Sequence, residues 1–108
     1  MMSTSLTLDT VRRTDGKLVL VAVGEIDLSN IEAFDRALTT ATAEATSGDQ
    51  TLIVDLSGVE YLDSAAINAL YTRADHIQVI AHAILMPVFA ISGLSELVAI
   101  EAAPSGGG

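Results

Sequence analysis

The sequence predicts an α/β fold, a single domain built on a mixed, mostly parallel β-sheet packed with about three α-helices. Three observations carry this. The stretch 51–73, TLIVDLSGVEYLDSAAINALYTR, changes its apolar period from that of a strand to that of a helix. Leu52, Ile53, Val54 and Leu56 form a short aliphatic run, as a strand covered on both faces or at a sheet centre reads. Ile67, Leu70, Tyr71 and Ala74 then recur at i, i+3, i+4 and i+7. That pair sits in an order β-β-α-β-α-β-α-β, and alternating elements imply parallel strands joined by right-handed crossovers. The first two strands are close enough in sequence to form a hairpin, which supplies an antiparallel edge.

Leu6 and Leu8 alternate with Ser5, Thr7 and Asp9, an edge-strand pattern, and Thr14-Asp15-Gly16-Lys17 supplies the turn. Residues 18–23 are nearly all Val, Leu and Ala, a more central strand that Gly24 ends, with Glu25-Ile26-Asp27 following as a loop. Ser29-Asn30-Ile31-Glu32 has the form of a capping box and opens a helix with Ile31, Phe34, Leu38 and Ala41 inward, stopped at Ser47-Gly48. In the central stretch, Asp55, Ser57 and Gly58 bend the chain out of the sheet. Asp75 and His76 mark a break before a buried strand at 77–81. Pro87 is tolerated only in a first turn, so a helix starts near Met86 and ends at Ser92-Gly93; 97–100 is the last strand. The domain thus runs over 5–101, with 1–4 a flexible N-terminus and 102–108, ending in Pro-Ser-Gly-Gly-Gly, a disordered tail.

Length and composition exclude several function classes. At 108 residues there is room for one core, and with two Phe, two Tyr and no Trp that core is aliphatic. A formal net charge of -9 leaves no basic patch for nucleic acid or anionic lipid, and stacking platforms are lacking. Without cysteine there is no disulfide framework, thiolate nucleophile or cysteine-zinc site. The N-terminal stretch MMSTSLTLDT lacks the pattern of a signal peptide, and the longest apolar stretch, 79–91, falls short of the roughly 20 residues that span a bilayer. A cytoplasmic protein without membrane insertion is expected.

Catalysis is not expected. Asp55 and Asp63 lie eight residues apart across a strand and a turn, which does not bring them together by local geometry, and they read as turn caps. His76 and His82 have no carboxylate at ligand spacing, so no metal is expected. Neither a nucleophile elbow nor a phosphate-binding G-x-x-x-x-G-K-[ST] loop is present, and no cofactor is implied. What remains is Asp63-Ser64 at a helix N-terminus, where unpaired backbone N–H groups and a partial positive charge accommodate either a capping side chain or a phosphate.

Three segments, in order, resemble the STAS domain family and in particular its small bacterial members, the anti-sigma factor antagonists. Gly24-Glu25-Ile26-Asp27 is similar to the family's G-E-[LI]-D loop. Asp55-Leu56-Ser57 with Val59, Leu62, Asp63 and Ser64 resembles its D-L-S-x-V-x-x-[LM]-D-S core, and Ser92-Gly93-Leu94 matches its late S-G-L. The resemblance implies that Ser64 is phosphorylated by a partner anti-sigma factor that is itself an ATP-dependent serine kinase. The unphosphorylated protein would capture that partner and free a sigma factor for transcription, and a phosphatase would reverse the modification. The implied partner surface is Gly24, Glu25, Ile26, Asp27, Asp63, Ser64, Ala65 and Ala66.

The chain also departs from the family. Ala65-Ala66 stands where a small pair ending in Gly is usual, adding methyl groups beside the serine. The interval from Ser64 to Ser92 is shorter than usual by about eight residues, roughly two helical turns. His82-Ala83 stands where Ser-Pro is usual, and the C-terminal helix usual in the family is not expected after the last strand. A constitutive docking subunit of a transporter or signalling complex, with Ser64 only a cap, is the alternative. Finally, Ile84, Leu85, Met86, Val88, Phe89 and Ile91 crowd one uncharged segment; a short helix turns only one stripe inward, which implies self-association as a homodimer or a partner that covers the rest.

Overall fold

A computed structural model describes residues 5–103. The expected flexible start, 1–4, and the tail from 104 lie outside the described residues. The elements are β1 (Leu6–Arg12), β2 (Leu18–Ile26), α1 (Ile31–Ser47), β3 (Leu52–Leu62), α2 (Ser64–Tyr71), β4 (Ile77–Ala81), α3 (Met86–Ser92), α4 (Leu94–Leu97) and β5 (Ile100–Ala102). Short 3-10 turns at Ala74–His76 and Ala83–Leu85 precede β4 and α3. The strands form one five-stranded sheet in the order β1-β2-β3-β4-β5, with β1 antiparallel to β2 and all other pairs parallel. This is the mixed, mostly parallel α/β architecture expected, with one helix more.

Because each parallel crossover steps one strand in the same direction, right-handed connections put every helix on one face of the sheet. Burial bears this out. Leu18, Leu20 and Ala22 of β2, Leu52, Val54 and Leu56 of β3, and Ile77, Val79 and Ala81 of β4 share one core with Phe34, Leu38, Ala66, Leu70, Phe89 and Leu94 from the helices. Val19 and Ile53, also buried, point to the opposite face and stand outside that cluster. Each large side chain so enclosed contributes about 1.5–3 kcal/mol. Arg73 ties α2 to α1 through the Asp35 carboxylate at 3.1 Å and the Thr39 hydroxyl.

Several boundaries differ from expectation. β3 does not leave the sheet at residues 55–58 but continues to Leu62. Its pairing with β2 passes from Val21↔Asp55 to Val23↔Gly58, then from Gly24↔Val59 to Glu25↔Tyr61, so β3 carries one extra residue at each step. These irregularities leave Leu56, Val59 and Leu62 buried at a spacing of three, which does not read as a strand. Asp55 Oδ1 accepts from the Ser57 N–H (2.9 Å) and hydroxyl (2.6 Å), so the turn chemistry is spent within the strand. Likewise β2 passes through Gly24 to Ile26. The capping box does not form: the N-cap of α1 is Asn30, and the Ser29 hydroxyl donates to Asp27 instead. In α2 the buried stripe is Ala66, Ala69 and Leu70, with Tyr71 exposed rather than inward. Gly93 ends α3 in the left-handed region (φ 82°), as its position implies, but helix resumes because Leu94 and Val98 enter the core at i, i+4 spacing. The last strand is therefore displaced to Ile100–Ala102, and Ala102, assigned to the tail, pairs with Ala81.

Candidate functional site

The carboxyl ends of β2 and β3 and the amino ends of α1 and α2 meet at one edge of the sheet. The Asp63 N–H donates to Ile26 O at 3.2 Å, which holds the end of β3 against the end of β2. Residues 24–27 and 63–66 are thereby brought together, as expected from the motifs.

Each half of the site is fixed by local bonds. Gly24 has φ 122°, and a Cβ there would lie 2.2 Å from Ser5 O, so only glycine permits β1 and β2 this approach. Beyond it, Asn30 latches the loop: its Oδ1 accepts from the Asp27 N–H (3.0 Å) and its Nδ2 donates to Glu25 O (2.9 Å). Asp27 Oδ1 in turn accepts from the Ser29 N–H at 2.8 Å. The other half is a capped helix. Asp63 is the N-cap of α2, its Oδ1 accepting from Ala65 N–H (3.0 Å) and Ala66 N–H (3.2 Å). Ser64, first residue of the helix, is exposed, and among the described residues its hydroxyl has no hydrogen-bond partner.

The residues expected to meet a partner do not all reach the surface. Glu25 and Ser64 are exposed, and Gly24, Asp27, Asp63 and Ala65 are partly so. Ile26 and Ala66 are wholly buried, so their side chains belong to the core and not to a contact surface. Residue-type reasoning instead missed Leu28, 77% exposed, and Tyr61, 50% exposed, two apolar side chains that flank the acidic loop and the β3 end. An isolated leucine in the polar loop Asp27-Leu28-Ser29 was the available signal. Residues 24–32 and 58–66 contain Glu25, Asp27, Glu32, Glu60 and Asp63 and no Lys or Arg, so the edge is acidic.

This arrangement offers an exposed hydroxyl with, among the described residues, no base placed to activate it. Asp63 is committed to the helix end, and His82 Nδ1 accepts from the Ile84 N–H at 3.0 Å, a capping role. Asp55 is likewise engaged with Ser57. Among the described residues, no group of three or more His, Cys, Asp or Glu could hold a metal ion, and no helix is long and apolar enough to cross a membrane.

A model of the STAS domain matches residues 9–102. The chain belongs to the STAS domain family. Solved structures share the fold of this STAS domain. An anti-sigma factor antagonist from Mycobacterium paratuberculosis superposes with a TM-score of 0.79 at 24% identity, over 90% of this chain and 86% of that one. The anti-sigma factor antagonist SpoIIAA in its unphosphorylated form gives 0.67 at 17% identity, over 92% and 90%. The Bacillus cell fate determinant SpoIIAA in the phosphorylated form gives 0.62 at 18%, over 92% and 93%. A search of curated protein sequences found no match. In this STAS domain the three motif segments fall at the β2 end, along β3 into α2, and at the α3–α4 junction.

Proposed function

We propose that this STAS domain is an anti-sigma factor antagonist of the bacterial cytoplasm. It captures an anti-sigma factor that is a serine kinase, releases a sigma factor for transcription, and is switched off by phosphorylation of Ser64 until a phosphatase restores it. The observation that carries this reading is the exposed Ser64 hydroxyl at the start of α2, without a hydrogen-bond partner among the described residues and held beside the Gly24–Asp27 end of β2 by the Asp63-to-Ile26 hydrogen bond. Solved structures described as anti-sigma factor antagonists, among them SpoIIAA, which is also seen in a phosphorylated form, support this reading. The protein then acts by binding and not by catalysis, since Ser64 receives a phosphoryl group without a general base of its own.

The physical effect is local. A phosphoserine adds about two negative charges beside Asp63 and close to Glu25 and Asp27, and a desolvated partner surface matched to a neutral hydroxyl is repelled. Pull-down with the cognate anti-sigma factor tests it: Ser64→Ala retains capture, Ser64→Glu loses it, and intact mass after incubation with partner and ATP shows one phosphate on Ser64. Equal retention of wild type and Ser64→Glu, with no phosphate added, would instead assign the protein to constitutive docking on a transporter or signalling complex. A phosphate found on Ser57 would mean that the motif is misplaced.

A further inference from the structure

Asn30 stands at the N-cap of α1, yet its side chain makes no cap hydrogen bond to the helix. Only its backbone serves α1, the carbonyl accepting from the Phe34 N–H at 3.2 Å. Asparagine is among the side chains that best satisfy the N–H groups of a first turn, so this 17-residue helix forgoes a cap that its sequence offers. The amide turns backward instead. Its Oδ1 accepts from the Asp27 N–H at 3.0 Å while its Nδ2 donates to Glu25 O at 2.9 Å, so one planar group bridges the turn that leaves β2. The Asn30 N–H adds a third bond, to Asp27 O at 3.1 Å.

The segment so bridged belongs to the proposed capture surface. It carries Glu25, exposed, and Leu28, 77% exposed, so the order imposed on it buries neither side chain in the free protein. Fixing an exposed segment costs conformational entropy, and that cost otherwise falls on the binding step. We infer, resting on the Ser64 reading, that Asn30 is a positioning residue for capture: it gives up capping α1 to hold residues 25–28 in the shape that the anti-sigma factor meets beside Ser64. Affinity follows the share of molecules already in that shape. A loop that adopts it about a tenth of the time binds about tenfold more weakly.

Asn30→Ser separates the two uses of the position. A serine hydroxyl serves as an N-cap, but it has no amide with which to bridge the Asp27 N–H and Glu25 O. Thermal unfolding of the full chain is expected to show the serine variant at least as stable as wild type, with Asn30→Ala, which neither caps nor bridges, below both. Hydrogen exchange followed by NMR on the free chain is expected to show the Asp27 amide of Asn30→Ser exchanging roughly tenfold faster or more. Titration calorimetry uses the purified anti-sigma factor kinase captured in the Ser64 pull-down, and capture by Asn30→Ser is expected to weaken about tenfold. Faster exchange with unchanged affinity would show that the partner does not need the loop ordered. Weaker capture by a loop as ordered as in wild type would make Asn30 a contact residue, and a serine variant as unstable as Asn30→Ala would make it a structural one. Each of these overturns the inference, as does a serine variant that matches wild type in exchange and affinity, and all leave the Ser64 reading standing. A wild type that captures no anti-sigma factor overturns both together.

Discussion

Removing the carboxylate of Asp63 tests which residue starts α2. The Asp63 side chain accepts from the N–H groups of both Ala65 and Ala66, at 3.0 and 3.2 Å, and is half-buried, so water replaces it poorly in Asp63→Ala. Loss of an N-cap costs about 0.5–2 kcal/mol, and two donors released at a partly closed site place this one near 1.5 kcal/mol. With an unfolding entropy of about 2.1 cal/mol/K per residue, 108 residues give roughly 0.23 kcal/mol/K, so the midpoint falls by about 6–7 °C. Asp63→Asn retains an acceptor and loses only the charge–dipole part, about 0.3–1 kcal/mol. Ser64→Ala stays within about 0.5 kcal/mol of wild type, as an exposed substitution without a bond to lose. Urea and thermal unfolding followed by circular dichroism compare the three. If Ser64→Ala loses as much as Asp63→Ala, the serine is the cap and its hydroxyl is not free.

Gly24→Ala is expected to lose about 3 kcal/mol or more in urea unfolding, because φ 122° is strained for alanine and its methyl would displace Ser5 O, which accepts from the Glu25 N–H. A loss below about 1 kcal/mol would show that β1 yields at no great cost. Arg73→Ala is expected to lose about 1 kcal/mol, the sum of an ion pair to half-exposed Asp35 and bonds to Ala69 O and the Thr39 hydroxyl. In 1 M salt only the Asp35 share of that difference should vanish, which repeating the titration at both salt concentrations measures.

The parts of the fold legible in the sequence were those governed by period and turn chemistry. The β1–β2 hairpin, the start of α2 after Asp63, and the stop of α3 at Gly93 each rest on bonds between neighbours in sequence. What was not legible depends on a distant strand. The extension of β3 to Leu62 needs β2 beside it, and its extra residues space Leu56, Val59 and Leu62 in threes, a pattern that no local rule assigns to a strand. The capping box failed for a related reason. Ser29 and Glu32 had the right spacing, but Asn30 and Asp27 are held by a loop whose course is set by Glu25 O and the β2 end. At the site, motif order located the two segments, whereas the inward turn of Ile26 and Ala66 required knowing the core on which each element lies.

That inward turn changes the meaning of the chain's departure from its family. An alanine where glycine is usual adds a methyl group two residues after Ser64, yet Ala66 is fully buried, and its methyl fills core space beneath α2 and leaves the surface open. Only Ala65, partly exposed, alters what an approaching partner meets. The same geometry bears on how the proposed switch would work. Asp63 already occupies the N–H groups of Ala65 and Ala66, so a phosphate on Ser64 would not find those donors free, and residues 58–66 supply no cation to neutralise it. The Arg73 guanidinium, beyond the far end of α2, is bound to Asp35. On the proposed reading, the added charge therefore stays at the surface and acts on the partner, and α2 has no new contact to drive a rearrangement of the fold.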